Sequence, residues 1–346
     1  MNILWFCLVA LMVAGYVILD GFDLGVGIVH LYVARTKQER RQVIRSIGPV
    51  WDGNEVWLLA AGGILFCAFP LLYASSFSGF YLPLMLVLWL LILRGLSIEL
   101  RSHVPNDLWR SLWDVVFSGS SLLLAIAFGA ALGNVVRGVP IDSSGNFFLA
   151  FFTNFQPGPD PGILDWYTVP IGVAAACTLA MHGALWLAYK TEGSVHARAV
   201  ATVRLAWWSV VILLIAITLL SFQVQPHIAR NFAAYPWGYI FPAIALAGLL
   251  GVRQFHSRGD ELPAFLCSST FIAGLLCTAA FGIFPYVLPS NRDPSLGLTI
   301  YNSAAPPYGL ATELKWFIPG ILLAALYFFV VYRYFAGKVP ADAEGY

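Results

Sequence analysis

Apolar runs of about twenty residues recur along the whole chain, and a run of that length is what a helix needs to cross the hydrocarbon core of a bilayer. Nine can be marked, at roughly 3–33, 51–73, 77–98, 114–136, 166–189, 204–223, 237–254, 264–288 and 313–335. The charge content agrees with that reading. Of 346 residues, 59% are hydrophobic and 11% are Asp, Glu, Lys or Arg, against roughly 25% charged residues in soluble domains. So few charges cannot cover a soluble surface, which excludes a soluble enzyme, a nucleic-acid binder and a disordered chain. An outer-membrane barrel is also excluded, because barrel strands alternate over short segments of about 10 residues. We therefore expect an all-α polytopic membrane protein, one integral membrane domain over residues 1–346 with no soluble domain. The opening segment has no basic stretch ahead of its apolar run and no A-x-A cleavage site, so it is expected to be the first spanning helix rather than a signal peptide.

Nine crossings put the termini on opposite sides, and Lys and Arg placement decides which is which. The connection after the first run holds Arg35, Lys37, Arg40, Arg41 and Arg45. Every second connection from there is basic as well, and this side collects 15 of the 19 basic residues, Arg94 and Arg101 among them. Arg137, Arg230, Arg292 and Lys315 fall on the other. The N-terminus is thus expected outside and the C-terminus in the cytoplasm. The two longest outside connections, about 137–165 and 289–312, are rich in Pro, Gly and Asn. Their rings, Phe147, Phe148, Phe151, Phe152 and Trp166, are expected at the headgroup level or against a partner. The five cysteines all sit in apolar runs without a C-x-x-C pair; they read as small buried hydrophobes, and no metal site is expected.

Carboxylates at membrane depth are costly and therefore functional candidates. The first run carries Asp20 and Asp23, three residues apart and on one helix face, with Tyr16, Gly27 and His30 extending it. Gly21 and Gly25 form a G-x-x-x-G pair that lets another backbone approach closely. The second run opens Gly48-Pro49-Val50-Trp51-Asp52-Gly53-Asn54-Glu55-Val56-Trp57. Asp52 and Glu55 are again three apart, near the same cytoplasmic side. Four acids on two adjacent helices suit a proton-uptake route or an ion-coupled transport site. Plainer roles stand beside these: a first-turn acid complements the helix dipole, and Asp20 or Asp23 could form an ion pair with a neighbouring helix. Arg94, Glu99 and Arg101 read as snorkelling charges with a local ion pair, Asp114 as a helix cap, and His182 as a hydrogen-bonded packing residue rather than a haem ligand.

At these residues the chain closely resembles subunit II of the cytochrome bd-type quinol oxidases. The carrying motifs are Leu19-Asp20-Gly21-Phe22-Asp23-Leu24-Gly25-Val26-Gly27 and Trp51-Asp52-Gly53-Asn54-Glu55-Val56-Trp57. Further matches are Phe77-Ser78-Gly79-Phe80-Tyr81, Arg94-Gly95 with Glu99 and Arg101, Gly133-Asn134 with Arg137-Gly138, and Phe284-Pro285-Tyr286-Val287-Leu288-Pro289. The resemblance implies two four-helix bundles plus a peripheral helix, in a bacterial cytoplasmic membrane. It implies a heterodimer with a haem-bearing subunit I that holds two haems b and one haem d and the quinol site, with room for a small single-helix accessory subunit. The complex would oxidise quinol, reduce dioxygen to water and take its protons from the cytoplasm, which generates a proton-motive force. This chain would carry no catalytic residue, would stabilise subunit I and, as in some members, would hold a structural quinone. The family's acids carry over onto Asp23 and Asp52, with Asp20 and Glu55 beside them, as a proton route; Trp57 maps to a region of oxygen access.

Two other readings remain open. A proton-coupled transporter would use Asp20 and Asp23 as its coupling site, and usually shows an inverted repeat, which is not evident. A purely structural partner would need the acids only for packing.

Overall fold

The computed structural model describes residues 1–340, and among these it forms twelve α-helices and one small hairpin. The helices are α1 (Asn2–Val33), α2 (Lys37–Ile47), α3 (Trp51–Ala68), α4 (Pro70–Gly79), α5 (Tyr81–Leu100), α6 (Asp107–Arg137), α7 (Thr168–Lys190), α8 (Gly193–Val224), α9 (Pro226–Ala234), α10 (Ile240–Arg258), α11 (Glu261–Ile283) and α12 (Pro307–Tyr334). Eight are long and apolar enough to cross a membrane: α1, α5, α6, α7, α8, α10 with the 3-10 turn before it, α11 and α12. The run expected at 51–73 is divided. Phe69 leaves the helical region at φ −133° and ψ 65°, as the residue before a proline tends to, and Pro70 opens α4. α3 is left with 18 residues, and Asp52, Asn54 and Glu55 fall in its opening turns.

Two elements lie in connections where no helix was expected. α2 follows a capping box, in which Thr36 accepts from the Glu39 amide and Glu39 accepts from the Thr36 amide. It lays Val43, Ile44 and Ile47 into the main core. α9 begins at Pro226, which suits a first turn. The hairpin pairs β1 (Tyr286–Leu288) with β2 (Leu298–Thr299), antiparallel.

α1 is the central helix. From Asp20 to Gly27 every residue is buried. Its G-x-x-x-G pair does what the spacing predicts. A Cβ on Gly25 would stand 1.9 Å from the Leu179 carbonyl oxygen, and one on Gly183 would stand 2.2 Å from the Gly25 carbonyl carbon. α1 and α7 thus touch backbone to backbone. The seam between α10 and α11 is built the same way, from Gly248 and Gly274.

Asn2 and Val339, near the two limits of the described residues, are bonded to different sets of connections. Asn2 Nδ2 donates to the Ile300 carbonyl (2.8 Å) and Trp5 Nε1 to that of Leu310 (3.1 Å). At the far end Gln42 Nε2 donates to the Val339 carbonyl (3.0 Å), and the Val339 amide donates to that of Lys190 (2.7 Å). A second apolar cluster under the long connections joins Trp5, Phe69, Val139, Ile141, Leu288 and Leu310. Those connections are held by buried polar bonds as well. Arg137 pairs with Asp165 and donates to Asn134 Oδ1 (2.6 Å) and the Gly162 carbonyl (3.0 Å).

Three expectations are corrected here. Phe147 is buried, packed edge-on against Phe80, so the loop rings do not all lie at an interface; Phe148 and Phe152 are exposed. The cysteines are not buried: Cys7 and Cys67 are exposed and the other three half-buried, because a membrane helix shows apolar side chains outward as readily as inward. Arg94 is 0% exposed and does not snorkel. α5 continues past it to Leu100, so Arg94 sits well inside the helix end.

Candidate functional site: a buried acid cluster

The helix-face geometry of α1 brings its two acids to different neighbours. Asp20 and Asp23 are both 0% exposed. Asp20 receives both terminal nitrogens of Arg94 on α5, Nη1 at 3.0 Å and Nη2 at 2.5 Å. This two-pronged pair is the geometry in which a guanidinium binds a carboxylate best. It is also the inter-helix ion pair that was one of the plainer readings of this residue. Asp23 instead accepts from Asn54 Nδ2 on α3 at 2.7 Å. The amide's other end, Oδ1, accepts from the Tyr332 hydroxyl of α12 at 3.0 Å. Tyr332 thereby fixes which way the amide faces, with its NH2 toward the carboxyl. The second oxygen of Asp23, Oδ1, is buried without a hydrogen-bond partner among the described residues.

The acids of α3 divide as well. Glu55 is 25% exposed at its side chain and comes within 3.8 Å of Arg94 Nη1, so it joins the cluster from its edge. Asp52 is exposed. It begins a stripe down one side of α3 that continues through Val56, Leu59, Gly63 and Phe66, all exposed. Three carboxyl groups therefore gather round one guanidinium and the fourth stands outside. The cluster holds acid in excess of cation, in a setting of four helices, α1, α3, α5 and α12. Trp57 packs edge-on against Phe328 with ring centroids 5.7 Å apart, and a Cβ on Gly15 would meet its ring at 2.9 Å.

Arg94, Asn54 and Tyr332 are the partners that sequence reasoning missed. Arg94 carried a signal, a cation near the end of an apolar run, but the run's end was taken for the helix end. Asn54 lies between the two acids in sequence, and an uncharged amide does not stand out there.

The rest of the α1 stripe faces α6. Tyr16 packs edge-on against Phe128 (5.7 Å), and His30 Nε2 lies 2.8 Å from Asp114 Oδ1. Asp114 is not a helix cap. α6 starts two turns earlier at Asp107, capped by Asn106, and Asp114 is buried with Arg101 Nε at 2.6 Å and Arg40 Nη1 at 3.0 Å. The Glu99 backbone carbonyl lies 2.9 Å from His103 Nδ1. His182 has both ring nitrogens engaged, one 3.0 Å from Ser268 Oγ and the other 3.1 Å from the Ile18 carbonyl. It stacks on Phe265 at 4.6 Å. Both ring nitrogens thus have hydrogen-bond partners within the fold.

Comparison with known proteins places the chain in a family. Residues 1–335 match the model described as cytochrome bd terminal oxidase subunit II. The chain is 32% identical over 370 aligned positions to the probable cytochrome oxidase subunit 2 of Haemophilus influenzae, covering 99% of this chain and 96% of that one. It is 30% identical over 354 positions to the cytochrome bd-I ubiquinol oxidase subunit 2 of Escherichia coli, covering 93% and 92%. A chain of the bd oxidase structure from Geobacillus thermodenitrificans superposes with a TM-score of 0.77 over 96% of this chain and 98% of that one, at 18% identity. This last match speaks to the fold.

Proposed function

This chain belongs to the cytochrome bd terminal oxidase subunit II family and is a subunit of a quinol oxidase, and from that premise we propose that it supplies protons from the cytoplasm to haems held in a partner subunit I. The observation that carries this reading is the acid cluster. Asp52 stands exposed on α3, Glu55 is half-exposed one turn on, and behind it lie Asp20 and Asp23, fully buried. The four acids thus run from surface to interior. A proton taken up at Asp52 passes to Glu55 and then to the buried carboxyls, where acid exceeds cation and one group can hold it. Arg94 keeps Asp20 in place, and Asn54 keeps Asp23 in place. A charged residue facing lipid would be costly, so Asp52 stands at the cytoplasmic edge and the exposed stripe beyond it, through Val56, Leu59 and Phe66, is where subunit I packs, with oxygen admitted beside Trp57.

In this reading α3 makes a ninth crossing, the N-terminus is outside and the C-terminus cytoplasmic. The sidedness is supported by the basic end of the bundle, where Arg40 and Arg101 meet Asp114 and Arg198 meets Glu39. The membrane is the bacterial cytoplasmic membrane. The haems, two b and one d, supply the redox chemistry from subunit I. The substrates of the complex are quinol and dioxygen.

The test is oxygen consumption by the assembled complex. Asp23→Asn and Asp52→Asn lower turnover by about a hundredfold, the lower end of the range for losing a proton-transfer group, while haem content and assembly stay normal. Normal turnover in both variants would sink the route and leave the acids a packing role.

A further inference from the structure

A cavity of about 1040 Å³ opens at the basic end of the bundle, between α1, α7, α11 and α12. It exceeds the roughly 300–1,000 Å³ that small-molecule sites occupy. Its wall is apolar and aromatic. Phe22 stacks on Trp186 with ring centroids 4.2 Å apart, and Phe265 and Phe328 extend the surface. Its mouth is rimmed by Arg45, Lys190 and Lys338. The segment after α12 folds across that mouth. Lys190 Nζ donates to the Phe335 carbonyl at 2.6 Å, and Lys338 Nζ to that of Thr191 at 3.3 Å.

Lys190 is the unusual group. It is only 6% exposed, yet no carboxylate among the described residues pairs with it within 4.0 Å. Its neighbours at this end do have such partners, as Lys338 has in Glu261 at 3.1 Å. An ammonium carries three N–H donors. The Phe335 carbonyl takes one, and the Trp186 ring lies 5.6 Å away. A buried charge without a counter-ion is unfavourable unless something else supplies the opposite charge.

We propose that this cavity binds an anionic phospholipid from the membrane leaflet at the basic end. The phosphate sits at Lys190 and Lys338, and an acyl chain lies along Phe22, Trp186 and Phe265. The two halves of the site select this ligand together. A zwitterionic lipid brings its own cation to a mouth where Lys190 already lacks a carboxylate partner among the described residues. A neutral apolar molecule fills the wall and leaves Lys190 without a counter-charge. The site also adjoins the acid cluster. Tyr332 lines the cavity, and its hydroxyl bonds Asn54, so a bound chain presses on the wall behind Asp23. The inference rests on the membrane-spanning reading of the helices and is independent of the proton route.

The test is native mass spectrometry of the intact complex, after exchange into micelles holding equal amounts of dioleoyl phosphatidylglycerol and dioleoyl phosphatidylcholine. The complex should retain phosphatidylglycerol over phosphatidylcholine by about tenfold, the ratio expected from one charge-assisted bond. Lys190→Gln with Lys338→Gln should abolish that preference. Ser269→Phe, which fills the cavity from α11 and leaves both lysines, should expel the lipid at unchanged haem content. Equal retention of the two lipids, a preference that survives both variants, or a quinone in place of the lipid would overturn the proposal. Oxygen consumption is not the readout, so failure of the proton route would leave this result intact.

Discussion

Asp20 and Asp23 are three residues apart and equally buried, yet they are held in different ways, and their substitutions should separate. Asp20 neutralises a guanidinium that is fully buried. Asp20→Asn removes the close counter-ion and leaves that charge with Glu55 at 3.8 Å, which costs up to about 3–5 kcal/mol. The double variant Asp20→Asn with Arg94→Gln should regain much of the loss, read as thermal unfolding of the purified complex. Asp23 has a neutral partner, so Asp23→Asn removes no counter-ion and should unfold close to the parent. Asn54→Leu is different again. It strips the one hydrogen bond seen on Asp23 and orphans the Tyr332 hydroxyl, at a cost of about 1–3 kcal/mol.

At the scale of helices, backbone contact between α1 and α7 holds the centre of the molecule together. Gly25→Ala puts a methyl 1.9 Å from the Leu179 carbonyl oxygen, and only separation of the two helices relieves it. We expect about 1–3 kcal/mol of destabilisation, the usual cost of overpacking, and loss of haem from the complex at lower temperature. α2 offers a pH-dependent case outside the spans. Burial pushes the Glu39 carboxyl up, but hydrogen bonds from Ser194 and Arg198 and from the Arg35 and Thr36 amides outweigh it and hold the group at about 2, against an ordinary 4.5. A lowered value stabilises the docked form above pH 4.5, and the contribution fades as pH falls from there toward 2. Protection of the α2 amides, measured relative to their intrinsic exchange rates, should therefore fall as pH drops from about 4.5 toward 2, and Glu39→Gln should flatten that response. The long helices were legible in the sequence because hydropathy alone marks them. Their ends were not, since α5 and α6 carry polar residues inside their terminal turns, and that misplaced Arg94 and Asp114. Of the cluster, the acids were visible as charges out of place. Asn54 and Tyr332 were not, because an amide and a phenol near an apolar run carry no such signal until the fold brings α12 against α3.

At the scale of the whole molecule, the two ends differ in kind. One is laced by ion pairs, the other closed by long connections over a second apolar cluster. With all five native cysteines replaced, Ser143→Cys should label from outside intact cells with a membrane-impermeant maleimide, and Ser102→Cys only after lysis. The reverse pattern would invert the sidedness we propose. Under the closed end, Asn2 and Trp5 of the first helix are bonded to Ile300 and Leu310 at the start of the last. Of the described helices, the one synthesised earliest therefore makes some of its contacts with the start of the one synthesised latest. Until about 277 residues have followed Val33, α1 keeps an open surface at Asn2 and Trp5, although α3, α5 and α7 have by then supplied the partners of Asp23, of Asp20 and of the glycine seam. A chain stopped before α12 presents that surface to the cell's quality control, so the order of synthesis makes the last helix the checkpoint for the first.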